Sequence, residues 1–213
     1  MNGRKQPSKT LRLGVLLSGG GRTLENIIKH IGSGQLPAEV AVVIASRDCR
    51  GVEIGRRAGV ETHVVPRRQL PNVNEYSRRI IEHLDAAKVD LVVQAGFLSL
   101  WLIPPHYAGR VMNIHPALLP SFGGHGMYGH HVHEAVLKAG CKVSGCTVHF
   151  VTNEYDAGPI IVQRCVQVAE GDDPDALAAR VFEQECVAYP EAIGLFAAGR
   201  LTVAGGVVRV SEH

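Results

Sequence analysis

The sequence has no long apolar run. No stretch approaches the ~20 apolar residues that a membrane-spanning helix needs. The segment 13–17 is broken at once by Ser18 and three glycines, so it cannot form the core of a secretory leader. A CxxC pair is also missing. The five cysteines, Cys49, Cys141, Cys146, Cys165 and Cys186, are odd in number, which favours reduced thiols in a cytoplasmic protein over a disulfide framework. An excess of charge of either sign is missing, with 22 Lys and Arg against 20 Asp and Glu. A formal net charge of +2 does not supply the basic surface of a nucleic-acid or membrane binder. Gly-Lys-Ser/Thr is absent, which removes a P-loop. Gly19-Gly20-Gly21 lacks the spaced third glycine of a dinucleotide fingerprint.

What is present suits one well-buried domain: 213 residues, 46% hydrophobic and 20% charged, ordinary for a globular protein. Residues 1–10 read as a disordered tail and 11–213 as a single domain. Short β-branched runs alternate with helical patterns. Strands are expected at 11–17, 40–45, 63–65, 91–95 and 111–114. Between them lie a helix with Leu24, Ile27, Ile28 and Ile31 on one face, a short helix at 51–58, and a third with Asn74 placed to cap it. Such alternation predicts an α/β fold with a doubly wound, mostly parallel sheet. The pattern then changes. Strands at 146–151 and 160–168 are expected to pair antiparallel. A long helix follows from Asp173-Pro174 to about residue 198, kinked near Pro190, and a terminal hairpin turns at Gly205-Gly206.

Three features carry chemistry. The loop Ser18 to Thr23 joins a strand to a helix, where backbone N–H groups and the helix terminus favour an anion; the alternative is a tight turn that binds nothing. Asn113-Ile114-His115-Pro116 closes a strand, and period-two alternation sends Asn113 and His115 to one side, at the strand end where open α/β sheets bind ligands. Asp156 stands in a polar loop before Gly158-Pro159. There it is either a turn former or a carboxylate able to hold His115 charged. His125, His130, His131 and His133 crowd one segment. No Cys or acid completes a metal spacing, so no metal is expected and the segment reads as a flexible, substrate-covering loop.

With these residues in place, the chain closely resembles the phosphoribosylglycinamide formyltransferases, folate-dependent enzymes of purine (IMP) synthesis. The likeness spans about 11–201. It includes the 18–23 loop, Ala95-Gly96-Phe97, His106 to Arg110, Asn113 to Pro116 with Leu118-Leu119-Pro120, His149-Phe150-Val151 leading to Asp156-x-Gly158-Pro159, and Gln184-Glu185 with Tyr189-Pro190. The resemblance implies a Rossmann-like formyltransferase fold, a catalytic set of Asn113, His115 and Asp156, and 10-formyltetrahydrofolate as co-substrate. It implies a ribose phosphate on Gly19, Gly20, Gly21, Arg22 and Thr23, with Glu185 holding the ribosyl group. The folate would lie along Leu98, Ser99, Leu100 and Trp101 and at Asn113. The partners are then small molecules, with no nucleic acid and no membrane, and a homodimer is left open.

The chain departs from the family at Ser99, where an Arg is common, in a shortened 98–105 stretch, and in a longer 121–133 segment. Arg67 and Arg68 lie close to another family Arg position that has no clear match. The nearest rival is a formyltetrahydrofolate hydrolase, expected to carry a regulatory segment before the first strand. An initiator-tRNA formyltransferase would need a further domain and a basic surface. A dinucleotide oxidoreductase has the wrong glycine spacing. A non-catalytic folate- or nucleotide-binding protein on the same fold is the alternative outside enzymes.

Overall fold

The computed structural model describes residues 10–212. The tail expected at 1–10 therefore lies, Thr10 apart, outside the described residues. The elements run β1 (Leu11–Leu17), α1 (Arg22–Gly32), β2 (Ala38–Ala45), α2 (Arg50–Arg57), β3 (Thr62–Val64), α3 (Val73–Ala86), β4 (Leu91–Gln94), β5 (Val111–His115), α4 (His130–Lys138), β6 (Val143–Phe150), β7 (Ile160–Gln167), α5 (Pro174–Ala197), β8 (Leu201–Ala204) and β9 (Val207–Val210).

The main sheet has the order β3-β2-β1-β4-β5-β6-β7. The five strands β1 to β5 pair parallel, and β6 and β7 add antiparallel. β8 and β9 form a separate hairpin. This is the doubly wound, mostly parallel α/β architecture with an antiparallel C-terminal part. Its central strands are buried on both faces, which is why they read as continuous apolar runs. Along β1, Leu13, Val15 and Leu17 face a core shared with α1, α2, α4 and α5, while Leu16 faces the opposite core under α3. Each such fully buried aliphatic side chain contributes about 1.5–3 kcal/mol. Among the described residues no helix is long and apolar enough to cross a membrane.

Two local readings need correction. Asn72, not Asn74, caps α3: its Oδ1 accepts from the Glu75 N–H at 2.9 Å. The apolar pattern alone left that cap uncertain by one half-turn. The His-rich segment contains a helix, α4, that its glycines and histidines conceal. By contrast, α5 begins as expected, with Asp173 Oδ1 accepting from the Ala176 N–H at 2.7 Å and Pro174 at the first helical position. It runs through Pro190 as one assigned helix.

The order reverses between β1 and β4, so a crevice opens beyond their carboxyl ends. Ser18 ties the two loops there. Its N–H donates to the Gly96 carbonyl at 3.1 Å and its buried Oγ accepts from the Leu98 N–H at 3.0 Å. Tyr189, fully buried on α5, places its hydroxyl 2.9 Å from the carbonyls of both Gln94 and Met112. One side chain thus holds the long helix against β4 and β5 just before their functional ends.

Candidate active site

The site starts from strand register. β5 and β6 pair antiparallel, with Asn113 opposite His149 and His115 opposite Thr147. Opposed residues share a face, so Asn113, His115 and His149 project together while Met112 and Ile114 enter the other core. Thr147 then pins the turn that follows His115. Its buried Oγ1 donates to the Ala117 carbonyl at 2.7 Å and accepts from the Leu119 N–H and from Gln163 Nε2, both at 3.0 Å.

Asp156 reaches this group from the β6–β7 connection. The pairing shifts register between Val148 and His149, an irregularity of the kind that re-aims side chains beside sites. The connection closes tightly. A Cβ on Gly158 would lie 1.7 Å from the Phe150 carbonyl oxygen, so only glycine fits. Asp156 itself adopts a left-handed backbone, φ 51°, uncommon for a residue with a side chain but tolerated by Asp. Its Oδ2 lies 3.6 Å from His115 Nδ1 and accepts from the Gly124 N–H at 2.9 Å; its Oδ1 lies 3.7 Å from His149 Nε2. One carboxylate therefore stands between two imidazoles.

The two rings differ. His149 Nδ1–H donates to the Phe150 carbonyl at 2.9 Å, leaving Nε2 to accept from Asn113 Nδ2 at 3.3 Å. Burial pushes its pKa down, against the opposing pull of the Phe150 carbonyl and Asp156, so it stays neutral and orients the Asn113 amide. His115 Nε2–H donates to the Phe122 carbonyl at 2.8 Å. With Asp156 Oδ2 3.6 Å from Nδ1, both its nitrogens face acceptors. The Nε2 edge of His115 is thus engaged within the protein, and Nδ1 is the edge turned towards Asp156. His149 was absent from the set chosen by sequence, although the β5–β6 pairing puts it opposite Asn113.

These groups open onto a cavity of about 500 Å³. Arg22, Thr23, Phe182 and Glu185 line its other end. The Arg22 guanidinium stacks 3.6 Å above the Phe182 ring, and among the lining residues it is the one Arg or Lys. Glu185 is half-buried on the cavity wall. Burial pushes its carboxyl up to about 7, partly opposed by the positive charge of Arg22. Gly21 caps α1 with φ 75°, where a Cβ would press on the Gly51 Cα at 2.7 Å. Gly19 and Gly20 leave open space where a Cβ would stand. These three glycines lie behind Arg22 and Thr23 and do not themselves line the cavity.

Leu98, Ser99, Leu100 and Trp101 all line the cavity on the side of β4. Leu98 and Leu100 are exposed, an apolar shelf, but Trp101 is buried in the core under α3 and its Nε1 has no partner. It is a support for the shelf more than part of its surface. Arg67 turns away, donating to the Leu70 carbonyl, and neither it nor Arg68 lines the cavity. The four clustered histidines disperse. His125 meets Tyr155 edge-on, His131 meets Tyr128 and Glu134, His130 Nε2 lies 2.8 Å from Asp175 Oδ1, and His133 is buried. Residues 121–129 are not a free flap: Phe122 and Gly124 bond to His115 and Asp156.

Known proteins are similar to this chain in sequence and in fold. The formyl transferase family model matches residues 11–193. Phosphoribosylglycinamide formyltransferase of Escherichia coli is 40% identical over 191 residues, which cover 88% of this chain and 87% of that protein. The chloroplastic phosphoribosylglycinamide formyltransferase of Arabidopsis thaliana is 36% identical over 207 residues, 94% of this chain and 70% of that protein. The crystal structure of glycinamide ribonucleotide transformylase 1 from Symbiobacterium toebii superimposes with a TM-score of 0.88 at 42% identity, covering 95% of each chain. With the family matched across β1 to α5 and relatives this similar over most of their own length, the chain belongs to the formyl transferase family and groups there with the phosphoribosylglycinamide formyltransferases.

Proposed function

We propose that the chain transfers the formyl group of 10-formyltetrahydrofolate to the amine of N1-(5-phospho-D-ribosyl)glycinamide, a step of purine synthesis, with residues 11–213 acting as one unit. The observation that carries this reading is the position of Asp156. It stands between His115 and His149, beside the Asn113 amide, and the same cavity is also lined by a cation, Arg22, and a half-buried acid, Glu185. A cytoplasmic location suits five unpaired thiols.

Arg22, Thr23 and the α1 N-terminus at Gly19 to Gly21 attract the phosphate. Glu185 accepts hydrogen bonds from the ribose hydroxyls. The exposed Leu98 and Leu100, with Ser99 beside them, form the wall for the flat apolar part of the folate. As the acceptor amine adds to the formyl carbon, negative charge develops on the formyl oxygen. One Asn113 Nδ2–H is held by His149; the other is free for that oxygen. His115 contributes its Nδ1–H, which the 3.6 Å gap to Asp156 leaves shareable with a substrate. Each such donor is worth about 3–4 kcal/mol at the transition state. Asp156 stands beside His115 Nδ1 and takes the amine proton towards the departing folate nitrogen, directly or through water. The reading uses no metal and no covalent enzyme intermediate.

The test is to mix the purified protein with 10-formyltetrahydrofolate, with and without the ribonucleotide, and follow release of the deformylated folate. Release that depends on the ribonucleotide is the expected result. Equal release without it would replace the transferase with a hydrolase. No release from folded protein would leave a binding protein.

A further inference from the structure

Among the described residues, two of the cavity wall carry a buried polar atom with no partner, Trp101 at Nε1 and His133 at Nδ1, and of these His133 is the titratable one. His133 stands in the first turn of α4 and lines the cavity, yet only 4% of it is exposed. Its Nδ1 is sealed from solvent without a hydrogen bond, and among the described residues neither ring nitrogen has a partner. A buried polar group left unpaired costs about 1–3 kcal/mol. The part of the ring that meets open space is its Nε2 edge, and the space it meets is the cavity.

Its neighbours say which end of the cavity it serves. One turn earlier on α4, His130 is paired with Asp175 at the start of α5. The α5 face beyond that pair carries Ala178, Ala179, Phe182 and Glu185 along the cavity. Arg22 stacks on that face, over the Phe182 ring. Burial, followed by the charges of His130 and His115, pushes the His133 pKa down, so the ring is a neutral imidazole with capacity for one hydrogen bond on the cavity side.

We propose that His133 is a further binding residue for the acceptor: its Nε2 exchanges a hydrogen bond with a polar group of the ribosylglycinamide, between the Arg22–Glu185 end and His115. This inference rests on the transferase reading above. It adds a contact that the sequence did not single out, since His133 appeared there only among the clustered histidines.

The test compares wild type with His133→Leu, which keeps bulk but removes the bond, and His133→Asn, which can still exchange one. Steady-state kinetics are measured with each substrate varied in turn, alongside thermal unfolding. His133→Leu should raise the ribonucleotide KM about three- to tenfold, the worth of one hydrogen bond. It should leave the formyl folate KM within about twofold, and His133→Asn should recover part of the loss. Removal of an unpaired buried nitrogen should not lower Tm. A ribonucleotide KM unchanged in both variants would overturn the proposal, as would equal rises for both substrates together with a fall in Tm, which would mark a structural histidine. Calorimetric titration of the ribonucleotide into the same proteins separates this from failure of the transferase reading. If no turnover occurs but wild type binds the ribonucleotide more tightly than His133→Leu, His133 stands and the transferase reading falls. If wild type does not bind it, both fall.

Discussion

At one end of the cavity, Asn113, His115, His149 and Asp156 are held by neighbours on every side. Strand register sets three of them, a tight glycine turn sets the fourth, and backbone carbonyls at Phe122 and Phe150 fix both rings. At the other end, Arg22, Phe182 and Glu185 come from two helices and meet by stacking and charge. The first end is preorganised, as a group that acts on developing charge needs to be. The second is a seat whose parts complement a ligand by charge and hydrogen bonding. Damage to the two ends should therefore appear in different kinetic constants.

The largest expected effect lies at the first end. His115→Ala and Asp156→Asn should each lower kcat about 10²-fold or more while changing the ribonucleotide KM little. Steady-state kinetics with both substrates check this, and near-normal rates would remove the proposed roles.

Glu185 sharpens the contrast through pH. Its carboxyl titrates at about 7 in the folded chain, above its ordinary value of 4.5. Between those values the native state holds a proton that the unfolded state has lost. Stability should therefore fall as pH rises from about 4.5 to about 7, by roughly 3 kcal/mol, and then level off. Glu185→Gln should flatten that slope in urea titrations at a series of pH values, and raise the ribonucleotide KM more than it lowers kcat. A slope unchanged by the substitution would show that another group titrates there.

Gly158→Ala tests whether the turn sets Asp156. The added Cβ has no room beside the Phe150 carbonyl, so the β6–β7 connection must open. The expected cost is about 1–3 kcal/mol by urea unfolding, with a loss of kcat in the protein that remains folded. The smallest effect is expected from Thr147→Val, about 1–2 kcal/mol, because it removes the hydroxyl that serves the Leu119 N–H and the Ala117 carbonyl. If its kcat also falls, the turn after His115 needs that anchor as well.

Much of the frame was legible. β1 is bounded where its apolar run is bounded, and the antiparallel pairing of β6 and β7 follows from two strand patterns joined by a loop too short for a crossover. Asn113 and His115 were legible because alternation along a strand fixes which side chains share a side. His149 was missed because its role depends on register between two strands, which the pattern within either one does not reveal. α4 was missed because Gly123, Gly124, Gly126 and Gly129 and the run of histidines mask Val132 and Val136, whose i, i+4 spacing was the available signal. The partnerless state of His133 could not be read at all, since it depends on what surrounds a ring in three dimensions.

The most direct test of the account is the pair kcat and ribonucleotide KM, measured under one set of conditions for Asp156→Asn and Glu185→Gln. The account predicts a split: Asp156→Asn loses turnover at a nearly unchanged KM, and Glu185→Gln loses affinity at a kcat of the wild-type order. Equal losses of both constants in both variants would contradict it, and would mean that the two ends of the cavity work as one.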